Sequence, residues 1–596
     1  MLCSAWNFPN LVRVFALCFA VPVSVLAAKE PTAEVGEKTM YVAQLVIRGD
    51  LPETDGQLGL FGEFQPNLRQ VVARLEKAAN DTKVTVVVLR PQNPQIGRGK
   101  LAELRAAIRR VQAAGKRVYA QLQMATARDY LLASACDEIV MPESGSLMVT
   151  GIQAEISFFK EALDTLGMEA DLIQVGSYKG AAEPLTRTTM SDEYRAQYES
   201  LIDDLYHHLV ETIAADRKIA PQQVRQLIDQ GLFTAAEAKA VGLIDQVVYD
   251  REFLAQVQSA NGADRLVLEK DYGKLKNEVD LSGPLGFMNL IQLFTGTDVK
   301  SSSRRKKIAI IYATGPIATG KSIPGMFGGQ TVGSETIVEA IQKAEDNKNV
   351  VAMVIRIDSP GGSAIGSDQI WKAIVDAQKP IVASMGDMAA SGGYYISMGC
   401  DKIFAEPETL TGSIGVIGGK MALKGLYEKI GVHVETISRG RNSGLLSSKS
   451  RFTDSEREVW VKMMRETYSQ FVTKAALGRG MSPEKMEPLA AGRLWTGRQA
   501  QQRGLVDLLG SLDDAVRQAK QLAGLDAEEE IERLILPEPK NLLDQLMEGA
   551  MLGAQVRQAI DLVEPNVGVR LRDLELVRRL FAEPSVLLMP YHINVR

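Results

Sequence analysis

Gly386-Asp387-Met388-Ala389-Ala390-Ser391-Gly392-Gly393-Tyr394-Tyr395 is the stretch on which the fold turns. An apolar run, Ile381-Val382-Ala383, precedes it and a helix-like run follows. A strand that bends sharply into a helix exposes a hydroxyl at the bend. It also aims the first free N–H groups of the helix at whatever that hydroxyl attacks. About thirty residues earlier lies a second glycine turn, Asp358-Ser359-Pro360-Gly361-Gly362-Ser363. The pair reads as a serine hydrolase, with Ser391 as nucleophile and backbone N–H groups of both turns holding the oxyanion.

Outward from this stretch the chain repeats itself at an offset of about 264 residues, as between Cys136 and Cys400. Val42 to Gly49 answers Ile308 to Gly315, and Gly59-Leu60-Phe61-Gly62 answers Gly325-Met326-Phe327-Gly328. Leu232-Phe233-Thr234 through Asp245 answers Leu494-Trp495-Thr496 through Asp507. Within each copy, β-branched runs such as Val84 to Leu89 alternate with helical patterns such as Asn67 to Ala79 and Lys100 to Ala113. That alternation predicts an α/β fold with stacked, mostly parallel strands and flanking helices. The two copies are expected over 40–250 and 307–520, with a linker at 251–306 and a helical extension at 521–596. In the extension, apolar pairs from Leu542 to Met551 recur as on an amphipathic helix, and Leu587-Leu588-Met589-Pro590-Tyr591 reads as a docking segment. In the linker, Pro284 to Phe294 reads as a packing segment and Arg304-Arg305-Lys306-Lys307 as a solvated run.

Bulk properties narrow the class. A formal net charge of −5 over 596 residues gives no pull toward nucleic acid. Residues 1–28 read as an export signal or a short membrane anchor. The uncharged segment Val14 to Ala28 ends in small residues and is shorter than the roughly twenty residues a spanning helix needs. Cys136 and Cys400 occupy matching places in separate copies, so two buried thiols are expected rather than a bond.

The copies differ where chemistry would sit. Ala127 matches Ser391, Arg128-Asp129 matches Gly392-Gly393, and Pro94-Gln95-Ile96 matches Pro360-Gly361-Gly362. The first copy therefore lacks a nucleophile and both oxyanion turns. It holds Gly176-Ser177-Tyr178-Lys179-Gly180, whose counterpart is Gly440-Arg441-Asn442-Ser443-Gly444. A lysine in one copy only is a candidate partner for a serine in the other. The four histidines, His207, His208, His433 and His592, lie outside glycine-rich turns. A lysine serves as base when burial lowers its pKa, and a cleft between copies supplies burial. Thr411-Gly412-Ser413-Ile414-Gly415 offers Ser413 to hold the amine in line. Taken singly, Ser391 reads as an N-cap, Lys179 as a surface lysine and Ser413 as a turn hydroxyl.

With these residues assembled, the chain resembles the signal peptide peptidase A family in its long, two-domain form. The resemblance covers about 40–540 and rests on Ser359 to Gly362, Gly386 to Tyr394, Thr411 to Gly415, and Gly176 to Lys179 with Glu183-Pro184 after it. Either glycine turn alone also suits the wider fold of ClpP proteases and enoyl-CoA hydratases, so a tandem ClpP/crotonase-like duplication is implied. The resemblance implies a Ser391/Lys179 dyad, Ser413 contacting the lysine, and oxyanion donors at Gly392 and Gly362. It implies an endopeptidase without metal or cofactor, acting on leftover signal peptides at the outer face of the bacterial cytoplasmic membrane or in the periplasm. A homotetramer with apolar peptide grooves and possible membrane association is implied as well. The rival expectations are an acyl-CoA hydratase or thioesterase on the same fold and a non-catalytic peptide-binding scaffold.

Overall fold

The computed structural model describes residues 38–54, 66–274, 305–322, 331–538 and 586–588. The export segment, the Gly59 and Gly325 tetrapeptides, the Pro284 to Phe294 piece and the Leu542 to Met551 pattern lie outside the described residues. Among those described, no helix is long and apolar enough to cross a membrane.

The first half contributes β1 (Thr39–Gly49), β2 (Val84–Pro94), β3 (Arg117–Gln121), β4 (Met124–Ala125), β5 (Glu138–Met141), β6 (Ser146–Met148), β7 (Glu169–Val175), β8 (Leu232–Thr234), β9 (Gln246–Val247) and β10 (Arg265–Glu269). The second contributes β11 (Lys307–Thr314), β12 (Ile317–Ala318), β13 (Val332–Gly333), β14 (Val350–Ser359), β15 (Gly361–Ser363), β16 (Ile381–Ala390), β17 (Lys402–Ala405), β18 (Leu410–Gly412), β19 (Val416–Ala422), β20 (Leu494–Thr496), β21 (Leu508–Leu509) and β22 (Glu532–Leu536), with β23 (Val586–Leu588) near the C-terminus. The first central sheet runs β10-β1-β2-β3-β5-β9, all parallel. The second runs β20-β18-β16-β14-β11-β22, with β17 and β21 alongside. Val86 to Leu89 and Ala352 to Ile355 are fully buried, as strands covered on both faces require.

The repeat extends to internal struts. Arg217 pairs with Asp245, which accepts the Ile139 N–H at 2.7 Å. Arg479 pairs with Asp507, which accepts the Ile403 N–H at 2.9 Å. Tyr130 donates to the Leu243 carbonyl at 2.9 Å, and Tyr394 to the Leu505 carbonyl at 3.0 Å. Cys136 and Cys400 are both free and buried.

The halves reach further than their expected limits. Residues expected in the linker form the helix Asp250–Ala260 and β10, which extends the first sheet beside β1. Residues expected in the extension form β22, which does the same beside β11. Sequence pattern gave these short edge strands no signal, because β10 is nowhere fully buried and lacks a strong apolar alternation.

One strand crosses between the halves. β7 pairs antiparallel with β19 of the second half, from Val416↔Val175 to Ala422↔Glu169. A smaller sheet, β13-β12-β15-β23-β19-β7, therefore contains strands of both copies. This crossing carries residues 176–180 into the second half.

Candidate active site

Ser391 directly follows β16 and stands at the N-cap position of the short helix Gly392–Ser397, without a capping bond from its side chain. Its backbone sits at φ 56° and ψ −114°, a conformation that costs a non-glycine residue about 1–3 kcal/mol. The Ser391 N–H donates to the Gly412 carbonyl at 2.8 Å, which holds the bend closed. The two glycine turns are in contact. A side chain at Gly392 would lie 3.1 Å from the Gly361 Cα and 3.2 Å from the Gly362 nitrogen. One at Gly393 would lie 2.8 Å from the Ser359 carbonyl oxygen. Gly362 pairs with Ile317 of β12 on one side and Leu587 of β23 on the other.

Lys179 follows β7 and is fully buried. Its Nζ lies 2.6 Å from Ser391 Oγ, 2.9 Å from Ser413 Oγ and 2.9 Å from the Ser413 carbonyl oxygen. The close approach depends on Gly492, at φ +79°, where a Cβ would lie 2.5 Å from Lys179 Cβ. Burial alone drives the Lys179 pKa well below the ordinary lysine value. Burial thus favours the neutral form of the amine. Ser413 also has a positive φ, 53°, and its N–H donates to the Arg493 carbonyl at 2.7 Å. The structure brings Ser391, Lys179, Ser413, Gly392 and Gly362 to one place. Among the histidines, His207 pairs with Glu211 at 2.8 Å and His208 with Glu408 at 3.3 Å.

The matching turn of the first half is filled. Ala127 opens the helix Ala127–Ser134 behind the N-cap Thr126, whose φ is an ordinary −86°. Asp129, at the place of Gly393, is fully buried. Its carboxylate accepts from the Asn93 N–H at 2.8 Å, the Thr126 N–H at 2.9 Å and the Thr126 hydroxyl at 2.6 Å. A resident carboxylate thus takes up N–H groups of the turn.

Sequence reasoning left out a charged seam between the halves. The helix Arg98–Ala113 of the first half presents Arg98 to Glu408 at 2.6 Å, and Lys100 to Asp358 at 3.0 Å and Asp387 at 3.3 Å. From that helix Glu103, joined by Glu53, holds the fully buried Arg356, each at 2.7 Å. The Asp387 carboxylate also accepts the Lys100 N–H at 2.8 Å and the Gly97 N–H at 3.2 Å. Burial opposes the Lys100 charge, but Asp358 and Asp387 outweigh it and raise its pKa. Asp358 and Asp387 begin the two glycine turns. Between the pairs Ile357↔Met385 and Ser359↔Ala389, Asp358 alone stands against Gly386, Asp387 and Met388. Lys100 grips that bulge, four residues before Ser391. The available signal was an aspartate at the head of each turn.

Comparison with known proteins then decides the family. The model of "Peptidase family S49" matches residues 110–264 and 373–526, just over half of the chain. The chain belongs to peptidase family S49. It is 34% identical over 486 residues to the serine protease SPPA, chloroplastic, of Arabidopsis thaliana, spanning 81% of this chain and 70% of that protein. It is 31% identical over 546 residues to Protease 4 of Salmonella typhi, spanning 87% of this chain and 85% of that protein. Protease 4 of Haemophilus influenzae is 32% identical over 468 residues, 76% of this chain and 72% of that one. This S49 peptidase is a serine-type endopeptidase of the signal peptide peptidase A kind, on a duplicated α/β fold.

Proposed function

We propose that Ser391 is the nucleophile of this S49 peptidase and Lys179 its general base. The observation that carries the reading is a fully buried amine 2.6 Å from the serine oxygen, with no carboxylate among its hydrogen-bond partners to hold its charge. Ser391 Oγ attacks the scissile carbonyl carbon while Lys179 takes its proton. The N–H groups of Gly392 and Gly362 receive the developing oxyanion, as preorganised donors at a helix start do. Lys179 then returns the proton to the leaving amine, and the acyl-enzyme is hydrolysed by a water that Lys179 deprotonates. Ser413 holds the amine in line through its hydroxyl and carbonyl oxygens.

The substrates are apolar peptides bound as an added strand, remnant signal peptides after their release from preproteins foremost. The chain's own β23 supports this mode. It lies antiparallel along Gly361–Ser363, beside the serine turn, as an extended backbone segment. The protein is exported, with residues 1–28 as signal or short anchor, and works in the periplasm or at the outer face of the cytoplasmic membrane as a homo-oligomer, a tetramer. Its two ClpP-like units divide the labour, the first supplying the lysine and the second the serine.

The test is hydrolysis of a synthetic signal peptide by the wild type and by Ser391→Ala, each confirmed folded by circular dichroism. Loss of cleavage with peptide binding retained is the expected result. Wild-type turnover by the variant, or turnover of a CoA ester without Ser391, overturns the assignment.

A further inference from the structure

We propose that Arg493 is a positioning residue for the reaction: its guanidinium seats the loop that carries Lys179 on the second half. The inference rests on the reading of Lys179 as base and extends it to a side chain that acts through its neighbours.

Residues 176–179 belong to the first half but rest on a short saddle of the second, Ala490-Ala491-Gly492-Arg493, which leads into β20. The Tyr178 N–H donates to the Ala491 carbonyl at 2.9 Å. A Cβ at Gly176 would stand 2.6 Å from that same carbonyl, so the two backbones touch. The saddle is bent at Ala491, whose φ of 51° is one that favours glycine. Its bonds hold it in that shape. The Ala491 N–H donates to the Tyr468 hydroxyl at 3.1 Å and the Gly492 N–H to the Ile414 carbonyl at 2.7 Å. The Arg493 carbonyl takes the Ser413 N–H, so the backbone of this residue already fixes one hydroxyl that meets the lysine amine.

The Arg493 side chain completes the seat. Its Cζ lies 4.8 Å from the centre of the Tyr178 ring and 4.6 Å from that of the Trp495 ring. Arg503 stacks on Trp495 as well, at 4.0 Å. Trp495 is itself fixed. It is 3% exposed, and its indole N–H donates to the Leu489 carbonyl at 3.0 Å. Arg493 thus ties Tyr178 to the second core. The described residues give Arg493 no carboxylate partner, so the aromatic faces are what hold its charge. Tyr178 is half-buried and Lys179 wholly buried. The loop therefore turns one side chain to this ladder and the next in to Ser391.

The duplication supplies a control, because the ladder goes with the lysine. Asn442 stands at the place of Tyr178, Gly231 at that of Arg493, Phe233 at that of Trp495 and Val241 at that of Arg503. Neither guanidinium has a counterpart where Ser443 replaces Lys179 and Ala127 replaces Ser391. A stack kept for packing alone has no reason to follow the dyad. A stack that seats a base does. An unheld loop lets the amine swing out of line with the hydroxyl, and water that reaches the amine restores its charge.

The experiment compares full-length Arg493→Met, Arg493→Lys, Tyr178→Leu and Tyr178→Phe with the wild type, each confirmed folded by circular dichroism. Arg493→Met is expected to lower kcat for peptide cleavage roughly 10²-fold with KM little changed. The pH profile of its labelling by a serine-directed phosphonate is expected to move up by about one unit, as hydration of the amine raises its pKa. Arg493→Lys keeps a cation over the ring and should recover part of the rate. Tyr178→Phe keeps the ring and should retain most of it. Tyr178→Leu should match Arg493→Met, and the double variant should be no slower than either, since both break one contact. Hydrogen exchange reads the seat apart from the chemistry: the Tyr178 amide should exchange faster in Arg493→Met. An unchanged amide, or single effects that multiply in the double variant, overturns the role of Arg493. A faster amide with rate and pH profile unmoved upholds the seat and counts instead against Lys179 as base.

Discussion

The Ser391 turn and the Ala127 turn are the same strand-to-helix joint built to opposite ends. At Ala127 the backbone is relaxed, Thr126 caps the helix, and Asp129 fills the space beyond it. At Ser391 the φ is positive, and Gly393 lets the Ser359 carbonyl oxygen come to within 2.8 Å of where a Cβ would stand. A cap is worth about 1 kcal/mol and a strained residue costs about 1–3, so the two turns differ by on the order of 2–4 kcal/mol. The first turn is relaxed and filled by a carboxylate, and the second is strained and packed directly on the Ser359 turn. Two lysines of the first half make a parallel contrast. Lys100 meets two carboxylates, which raise its pKa, whereas Lys179 meets hydroxyl and carbonyl oxygens, and burial lowers its pKa. Partner chemistry, not burial, separates the lysine that clamps from the lysine proposed as base.

The sharpest way to break this contrast is at the bases themselves. Lys179→Met is expected to lower kcat by roughly 10³–10⁴-fold with KM little changed, as loss of a general base does, read by steady-state peptide cleavage. Lys100→Met is expected to cost roughly 10²-fold in kcat through a misplaced serine turn, with Lys100→Arg recovering part of it. That comparison belongs at a temperature where both variants are folded by circular dichroism. A Lys100→Met enzyme with unaltered kcat would reduce the seam to packing.

Stability sharpens the contrast further. Lys179 has a lowered pKa in the fold, so between that value and the ordinary lysine value the unfolded chain holds one more proton. Wild-type stability should rise with pH across this window by up to about 1.4 kcal/mol per pH unit from this group. Lys179→Met should lack that slope in urea unfolding series. The smallest expected effect is none at all. Ala127→Ser placed in a Ser391→Ala chain should recover no cleavage, because Asp129 occupies the turn and the base lies in the other half's cleft.

Much of the site was legible because glycine turns, a duplicated frame and complementary losses leave marks at fixed positions. Ser391, Lys179 and Ser413 were each named from such marks, and both hydroxyls lie within 2.9 Å of the Lys179 amine. The seam was not legible. Arg98, Lys100 and Glu103 look like the solvated face of an amphipathic helix until a second half is packed on them. Nor was the crossing of β7, since strand pairing across 240 residues of chain, as between Val416 and Val175, has no local pattern. The edge strands β10 and β22 escaped because five-residue, mostly half-buried runs carry little alternation, and so the halves came out longer than periodicity implied.

The most direct measurement is the rate at which a serine-directed phosphonate labels Ser391 across pH, in the wild type and in Lys179→Met. If the amine of one half activates the hydroxyl of the other, wild-type labelling climbs with pH through a pKa well below that of an ordinary lysine and then levels. The variant should be labelled slowly and without that step. Equal rates and superimposable profiles for the two proteins would contradict the account.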